Sequence, residues 1–296
     1  MRIVTRKLIV FFLLTVLLDN SVKAQHRPDL STVPVNLVVP PVTPQAPAAG
    51  VRVKQTTVGW GETDVYHVLY LPKNWKPNRK FPIIVEFAGN GNYKNKYGDV
   101  SDGSPEGSSL GYGLSKGRDF IWVCMPFIEN KNGTKQNATQ WWGEVDETKQ
   151  YLFAALKMLE QKYGADPNCI ILSGFSRGAI ACNYIGLYDD EIASTWKAFF
   201  CHSHYDGVRN SWPYPYADSA SALKRLERLK GRPQWISQEG STSAIKQYLL
   251  NTGIQGDFTF QDIPYRNHSD QWLLKKIPES KAARCWLRRV VKASRQ

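Results

Sequence analysis

Apolar residues fall into short, separated runs along most of the chain. Residues 81–87, 120–125, 170–172 and 198–202 form runs too brief for buried helices and read as buried strands. Residues 51–58 and 65–71 alternate or run apolar around Gly59-Trp60-Gly61, which predicts an antiparallel hairpin at the N-terminal edge. Elsewhere the period changes. Leu152, Ala155, Leu156, Leu159 and Tyr163 share one helical face, and Gly164 ends that helix. Helices are also expected over 179–187, 219–230 (stopped by Gly231 and Pro233), 243–250 and 281–291, with strands over 234–238 and 258–263 between them. Such alternation predicts an α/β fold, a mostly parallel sheet covered by helices on both faces.

Three stretches break the pattern. Arg2, Arg6 and Lys7, an eleven-residue apolar core at 8–18 and Val22-Lys23-Ala24 predict a signal peptide over 1–24, too short to span a bilayer. The mature protein is then expected to be secreted or periplasmic, with no membrane attachment after cleavage. Residues 25–50 carry six prolines (28, 34, 40, 41, 44, 47) and almost no charge, which reads as an extended linker. One catalytic-sized domain is left at 51–296. Within it, residues 99–117 are rich in Gly and Ser without a period and read as a surface loop.

Removing 1–24 takes away four basic residues and one acidic residue, lowering the formal charge from +12 to +9. Much of the excess lies near the C-terminus, from Lys275 to Arg295, and is expected on the solvated face of a terminal helix. With no nucleic-acid-binding motif in an exported chain, nucleic acid is not an expected partner. The five cysteines (124, 169, 182, 201, 285) match no zinc or disulfide spacing and read mostly as buried thiols.

The chemistry centres on Gly174-Phe175-Ser176-Arg177-Gly178. An apolar run precedes it and a small-residue helical run follows, the strand–turn–helix context of a nucleophile elbow. A serine hydroxyl needs a base, and the base needs a carboxylate to fix its tautomer. The mature chain offers His26, His67, His202, His204 and His268, of which His268 follows the last predicted strand.

This order resembles the α/β-hydrolase fold over residues 81–291, and within it secreted esterases of the polyhydroxyalkanoate-depolymerase and feruloyl-esterase type. The resemblance implies a serine–acid–histidine order along the chain, with Ser176 as nucleophile and His268 as base. The usual acid position is Ser243 here, a departure from the pattern. Glu239, in Gln238-Glu-Gly-Ser, is similar to the acid loop of cholinesterase-type carboxylesterases, and Asp206 is the competing acid. The resemblance places oxyanion donors on the backbone of Arg177 and of Asn90 or a neighbouring glycine, although Ala88-Gly89-Asn90-Gly91 replaces the family's His-Gly-Gly. The Arg177 side chain is expected to brace its helix, with contact to a substrate carboxylate as the alternative. No metal or organic cofactor is implied.

A second constellation, His202-Ser203-His204-Tyr205-Asp206 with His268, resembles the metal-ligand run of metallo-β-lactamase-type hydrolases, but Gly207 stands where a further histidine is usual. Aromatic residues crowd the predicted loops, and Trp142 and Tyr205 are the expected substrate contacts. With export, they suggest a small-molecule or polysaccharide-linked ester as substrate of a monomer. A non-catalytic carbohydrate-binding protein is the alternative of another class. Asn132, Asn137 and Asn267 head formal glycosylation sequons, meaningful only in a eukaryotic host.

Overall fold

The computed structural model describes residues 27–293. The expected signal peptide, Gln25 and His26 lie outside the described residues. At the centre is a nine-stranded sheet. Its order in space is Val42–Thr43, Arg52–Gln55, His67–Tyr70, Ile121–Met125, Phe81–Phe87, Ala165–Phe175, Ala198–His202, Gly231–Glu239 and Gly256–Ile263. From Ile121–Met125 onward every pairing is parallel. His67–Tyr70 is antiparallel to both its neighbours, so the hairpin read from residues 51–71 is present.

Strand pleating sends alternate side chains to opposite layers. Ile83, Val85 and Phe87 face one core, together with the helices Val145–Tyr163, Arg177–Tyr184, Ser219–Leu226 and Ser243–Thr252. Ile84 faces the other, with the helices Leu110–Ser115 and Pro278–Lys292. The expected face of the first long helix is buried at Leu152, Ala155, Leu156 and Leu159. That helix ends at Gly164, whose φ of +71° is left-handed backbone that glycine adopts without strain. On the terminal helix Arg284 is buried and donates to the Gly113 carbonyl at 2.8 Å, while Arg288, Arg289 and Lys292 face solvent. No disulfide links the five cysteines, four of which are buried. No helix among the described residues is long and apolar enough to cross a membrane.

Two expectations need correction. The stretch 99–117 is not simply a surface loop, because it contains the buried helix Leu110–Ser115. Its glycines serve close packing. A Cβ at Gly111 would lie 2.2 Å from Trp122 Cδ1, and one at Gly113 would lie 2.5 Å from Leu273 Cβ. Glu86, on a central strand, accepts the N–H groups of Ser109, Leu110 and Gly111 and the Trp122 indole N–H, at 2.7–3.1 Å. Burial, and then the neighbouring Asp270 carboxyl, push the Glu86 carboxyl up to about 7.

Nor is the described part of the proline-rich segment a free linker. Val42–Thr43 extends the sheet, Leu30 is buried, and the Asn36 and Leu37 N–H groups both donate to the Leu274 carbonyl at 3.0 Å. Proline holds backbone extended in advance, so docking such a segment costs less ordering entropy. At its end the Gly50 N–H donates to the Leu71 carbonyl at 2.9 Å.

Candidate active site

The sequence 174–178 forms the expected sharp bend. Ser176 has φ 53° and ψ −112° between the central strand and its helix, a conformation a non-glycine residue holds only when its surroundings enforce it. The flanking glycines are required by space. A Cβ at Gly174 would lie 2.0 Å from the Gly178 carbonyl oxygen, and one at Gly178 would lie 1.9 Å from that of Phe87. The Ser176 N–H donates to the His202 carbonyl at 2.9 Å, fixing the bend against the next strand.

His268 arrives from the loop after the last strand. Its Nε2 lies 3.0 Å from Ser176 Oγ and its Nδ1 lies 2.7 Å from Glu239 Oε1. Nδ1–H donates to the carboxylate, which leaves the Nε2 lone pair facing the serine hydroxyl. Burial tends to raise the Glu239 carboxyl, but His268 first, with His202 and the Ser203 hydroxyl, outweighs it and holds it down to about 2. Ser203, unnoticed in the sequence as a site residue, bridges the pair. Its hydroxyl donates to Glu239 Oε2, and its oxygen is 2.8 Å from His268 Nδ1. Ser203 follows a strand end with φ 69°, and only its place one residue beyond that strand could have signalled it. The His268 ring is flanked by Phe175, Tyr93 and His204, with centroids at 4.8, 5.0 and 5.3 Å.

Asp206 does not reach this group. It is buried and gripped by Arg225, with Oδ2 2.8 Å from Nε and Oδ1 3.1 Å from Nη2, and it also accepts the Tyr214 hydroxyl at 3.0 Å. The metal-ligand reading of His202, His204 and Asp206 fails on the same geometry. His202 Nε2 lies 3.0 Å from the Ser269 carbonyl, an acceptor only, so Nε2 carries the proton and Nδ1 accepts the Ser237 hydroxyl at 3.0 Å. Both ring nitrogens are thus committed. Burial lowers the His202 pKa to about 4, so the ring is neutral near pH 7.

The loop after Phe87 lies directly against the bend. A Cβ at Gly89 would be 3.1 Å from the Phe175 ring and 3.5 Å from Ser176 Cβ. Gly91 donates its N–H to Thr139 at 2.7 Å, which leaves the Gly89 and Asn90 N–H groups as the loop's candidate donors. The Asn90 side chain is turned away, its Oδ1 accepting the Trp141 N–H at 2.8 Å. Arg177 braces the surrounding loops rather than its own helix. Its guanidinium is buried over the Phe127 ring and donates to the carbonyls of Ala88, Gly103, Ala138 and Trp141 at 2.7–3.4 Å. One side chain therefore ties together the three segments around the serine, while its backbone N–H, in the first turn of the helix, has no intrahelical acceptor.

The expected substrate contacts are both misplaced. Trp142 is 3% exposed and stacks on Tyr184 in the core, and Tyr205 is 2% exposed with its hydroxyl on Gln234 at 2.6 Å. Trp141 and Trp212 are half-buried instead, with ring centroids 5.5 Å apart. From His268 a line of rings runs through His204 and Trp212 to Trp141, with successive centroids 5.1–5.5 Å apart. Beside His268 a cavity of about 390 Å³ is lined by a mixture of hydroxyl, charged and apolar side chains, including Tyr93, Lys94, Val100, Ser101, Asp102 and Phe175. The two adjacent tryptophans should behave oppositely. Trp142→Ala should cost about 3–5 kcal/mol of stability in denaturant titrations. Trp141→Ala should leave the fold intact and raise KM for aryl esters by up to about tenfold, the worth of one aromatic contact.

No protein-family model and no curated protein matches the chain. Solved structures do. An esterase from the fungus Rhizomucor miehei is 11% identical with a TM-score of 0.58, covering 89% of this chain and 86% of that one. Esterase 2 of Thermogutta terrifontis is 15% identical with a TM-score of 0.52, covering 82% and 96%. Esterase B of Lactobacillus rhamnosis is 15% identical with a TM-score of 0.50, covering 85% and 89%. At these identities the likeness concerns architecture, and it identifies the mostly parallel sheet with its N-terminal antiparallel hairpin as an α/β-hydrolase fold. It does not distinguish the polyhydroxyalkanoate-depolymerase or feruloyl-esterase type.

Proposed function

We propose that the chain is a secreted or periplasmic serine hydrolase of carboxylic esters, working through an acyl-enzyme. The observation that carries this reading is the continuous relay from Ser176 Oγ to His268 Nε2 at 3.0 Å and from His268 Nδ1 to Glu239 at 2.7 Å. His268 takes the hydroxyl proton as Ser176 Oγ bonds to the carbonyl carbon. The negative charge that develops on the carbonyl oxygen faces the Arg177 N–H and that of Gly89 or Asn90. Collapse expels the alcohol, which leaves with the proton from His268. Water then attacks the acyl-serine by the same route, with His268 again as base. Every proton moves between groups of this chain, the substrate and water.

The rings of His204, Trp212 and Trp141 favour a flat acyl group, and the cavity beside His268, with the hydroxyls of Tyr93, Ser101 and Ser104 among charged and apolar side chains, favours a polar, sugar-like alcohol. A carbohydrate-linked ester, free or on a polysaccharide, suits both sides. The test is fluorophosphonate labelling followed by peptide mass mapping, alongside aryl-acetate turnover with and without a chelator. The adduct is expected on Ser176, with turnover unaffected by the chelator. Glycan binding without labelling or turnover would instead identify a non-catalytic carbohydrate-binding protein.

A further inference from the structure

The segment around Asp29 meets the loops that carry both partners of Ser176. The Arg27 guanidinium occupies the space where a side chain at Gly240 would sit, one residue beyond Glu239. The Arg266 N–H donates to the Pro28 carbonyl at 3.1 Å, and its guanidinium grips Asp29 Oδ2 at 2.6 and 3.2 Å. The Leu30 N–H donates to Asn267 Oδ1 at 2.7 Å. Three consecutive strap residues thus hold the two residues that precede His268.

The same loop is gripped from its other side by residues 95–99. Asp99 accepts the His268 N–H and the Asn267 side-chain N–H, each at 2.9 Å, and Arg266 lies over the Tyr97 ring at 4.4 Å. Asn95 shapes this second clamp, its Oδ1 accepting the Tyr97 and Asp99 N–H groups at 2.9 and 3.1 Å. The histidine loop leaves the outermost strand of the sheet, which has a neighbour on one side only. Within the sheet, Glu239 holds the imidazole and His202 donates to the Ser269 carbonyl at 3.0 Å, so the two residues before His268 are held from outside it.

We propose that Asp29 is a positioning residue for His268, acting through Arg266 to keep the imidazole between Ser176 and Glu239. The inference rests on the esterase reading for its kinetic consequence. A partly exposed ion pair contributes little stability. Placement of a base is far more sensitive, with useful geometry confined to about 0.5 Å and an error of 1 Å costing up to about a hundredfold in rate. The pair's main effect should therefore fall on turnover.

The test compares full-length wild type, Asp29→Ala, Arg266→Ala, the double variant and Asp29→Glu. Asp190→Ala serves as control, since it breaks the exposed Asp190–Arg228 pair away from the site. Asp29→Ala should lower kcat about tenfold with KM changed less than about twofold, and the double variant should be no worse than the single ones. Asp29→Glu should recover part of the loss, and the control should match wild type. In proton NMR without substrate, the His268 Nδ1–H signal, assigned by its absence in His268→Gln, should broaden or move upfield in Asp29→Ala. An active wild type whose Asp29→Ala variant keeps both kcat and that signal overturns the proposal. An inert wild type whose signal still moves in Asp29→Ala overturns the esterase reading and leaves the positioning role standing.

Discussion

Ser176→Ala should lower kcat for an aryl acetate by about 10⁵-fold or more, His268→Ala should do nearly the same, and the double variant should be no slower than either. The two side chains act as one unit across 3.0 Å, so removing either removes the attack. The nearby Ser203 cannot substitute. It sits on the Nδ1 side of the ring, where the nitrogen already carries the proton given to Glu239 and has no lone pair with which to activate a hydroxyl. Folding should survive, because alanine accepts the backbone of the bend about as well as serine does. Circular dichroism and melting should therefore match wild type while fluorophosphonate labelling disappears from Ser176→Ala. Steady-state turnover with active-site titration checks it, and retention of more than about a hundredth of wild-type activity in Ser176→Ala would remove the serine from the mechanism.

What could be read from the sequence follows the range of the forces involved. The bend at Ser176 is a local matter of two glycines between a strand and a helix, and those steric demands are written in five consecutive residues. His268 was legible because only one histidine follows the last strand. Glu239 and Asp206 were harder to separate. Glu239 ends one strand and Asp206 follows another, and what decides between them is a buried arginine, Arg225, from a helix that nothing in the sequence places against either. Trp142 and Tyr205 were misjudged because neighbouring aromatics on an irregular segment have no period. Trp141 takes φ 51°, which leaves one ring half-buried and turns the next into the core. The segment around Asp29 was misread for a related reason. Leu30 is buried, but the contacts to a loop more than two hundred residues away run through backbone N–H groups, carbonyls and one ion pair, which leave no hydrophobic period among the prolines.

Glu239→Gln and Asp206→Asn should divide the two roles that a carboxylate can play here. In Glu239→Gln the new amide can donate to Nδ1, which drives the His268 proton to Nε2, the tautomer unable to accept the serine proton. Turnover should fall by about 10³–10⁴-fold with KM nearly unchanged. Stability should respond in a pH-dependent way. The Glu239 carboxyl is held at about 2 rather than 4.5, so its contribution is complete above about pH 4.5 and is lost as the pH falls toward 2. The stability gap between wild type and Glu239→Gln should therefore be fully open above about pH 4.5 and close across that acid range. Asp206→Asn should do the reverse. It leaves the buried Arg225 without its counter-charge, which should cost up to about 3–5 kcal/mol at neutral pH. The folded fraction should keep a kcat close to wild type, since no atom of Asp206 touches His268. Denaturant titrations at several pH values, with turnover normalised to titrated active sites, measure both effects. If Asp206→Asn instead lowers kcat a thousandfold and Glu239→Gln does not, the acid has been assigned to the wrong strand end.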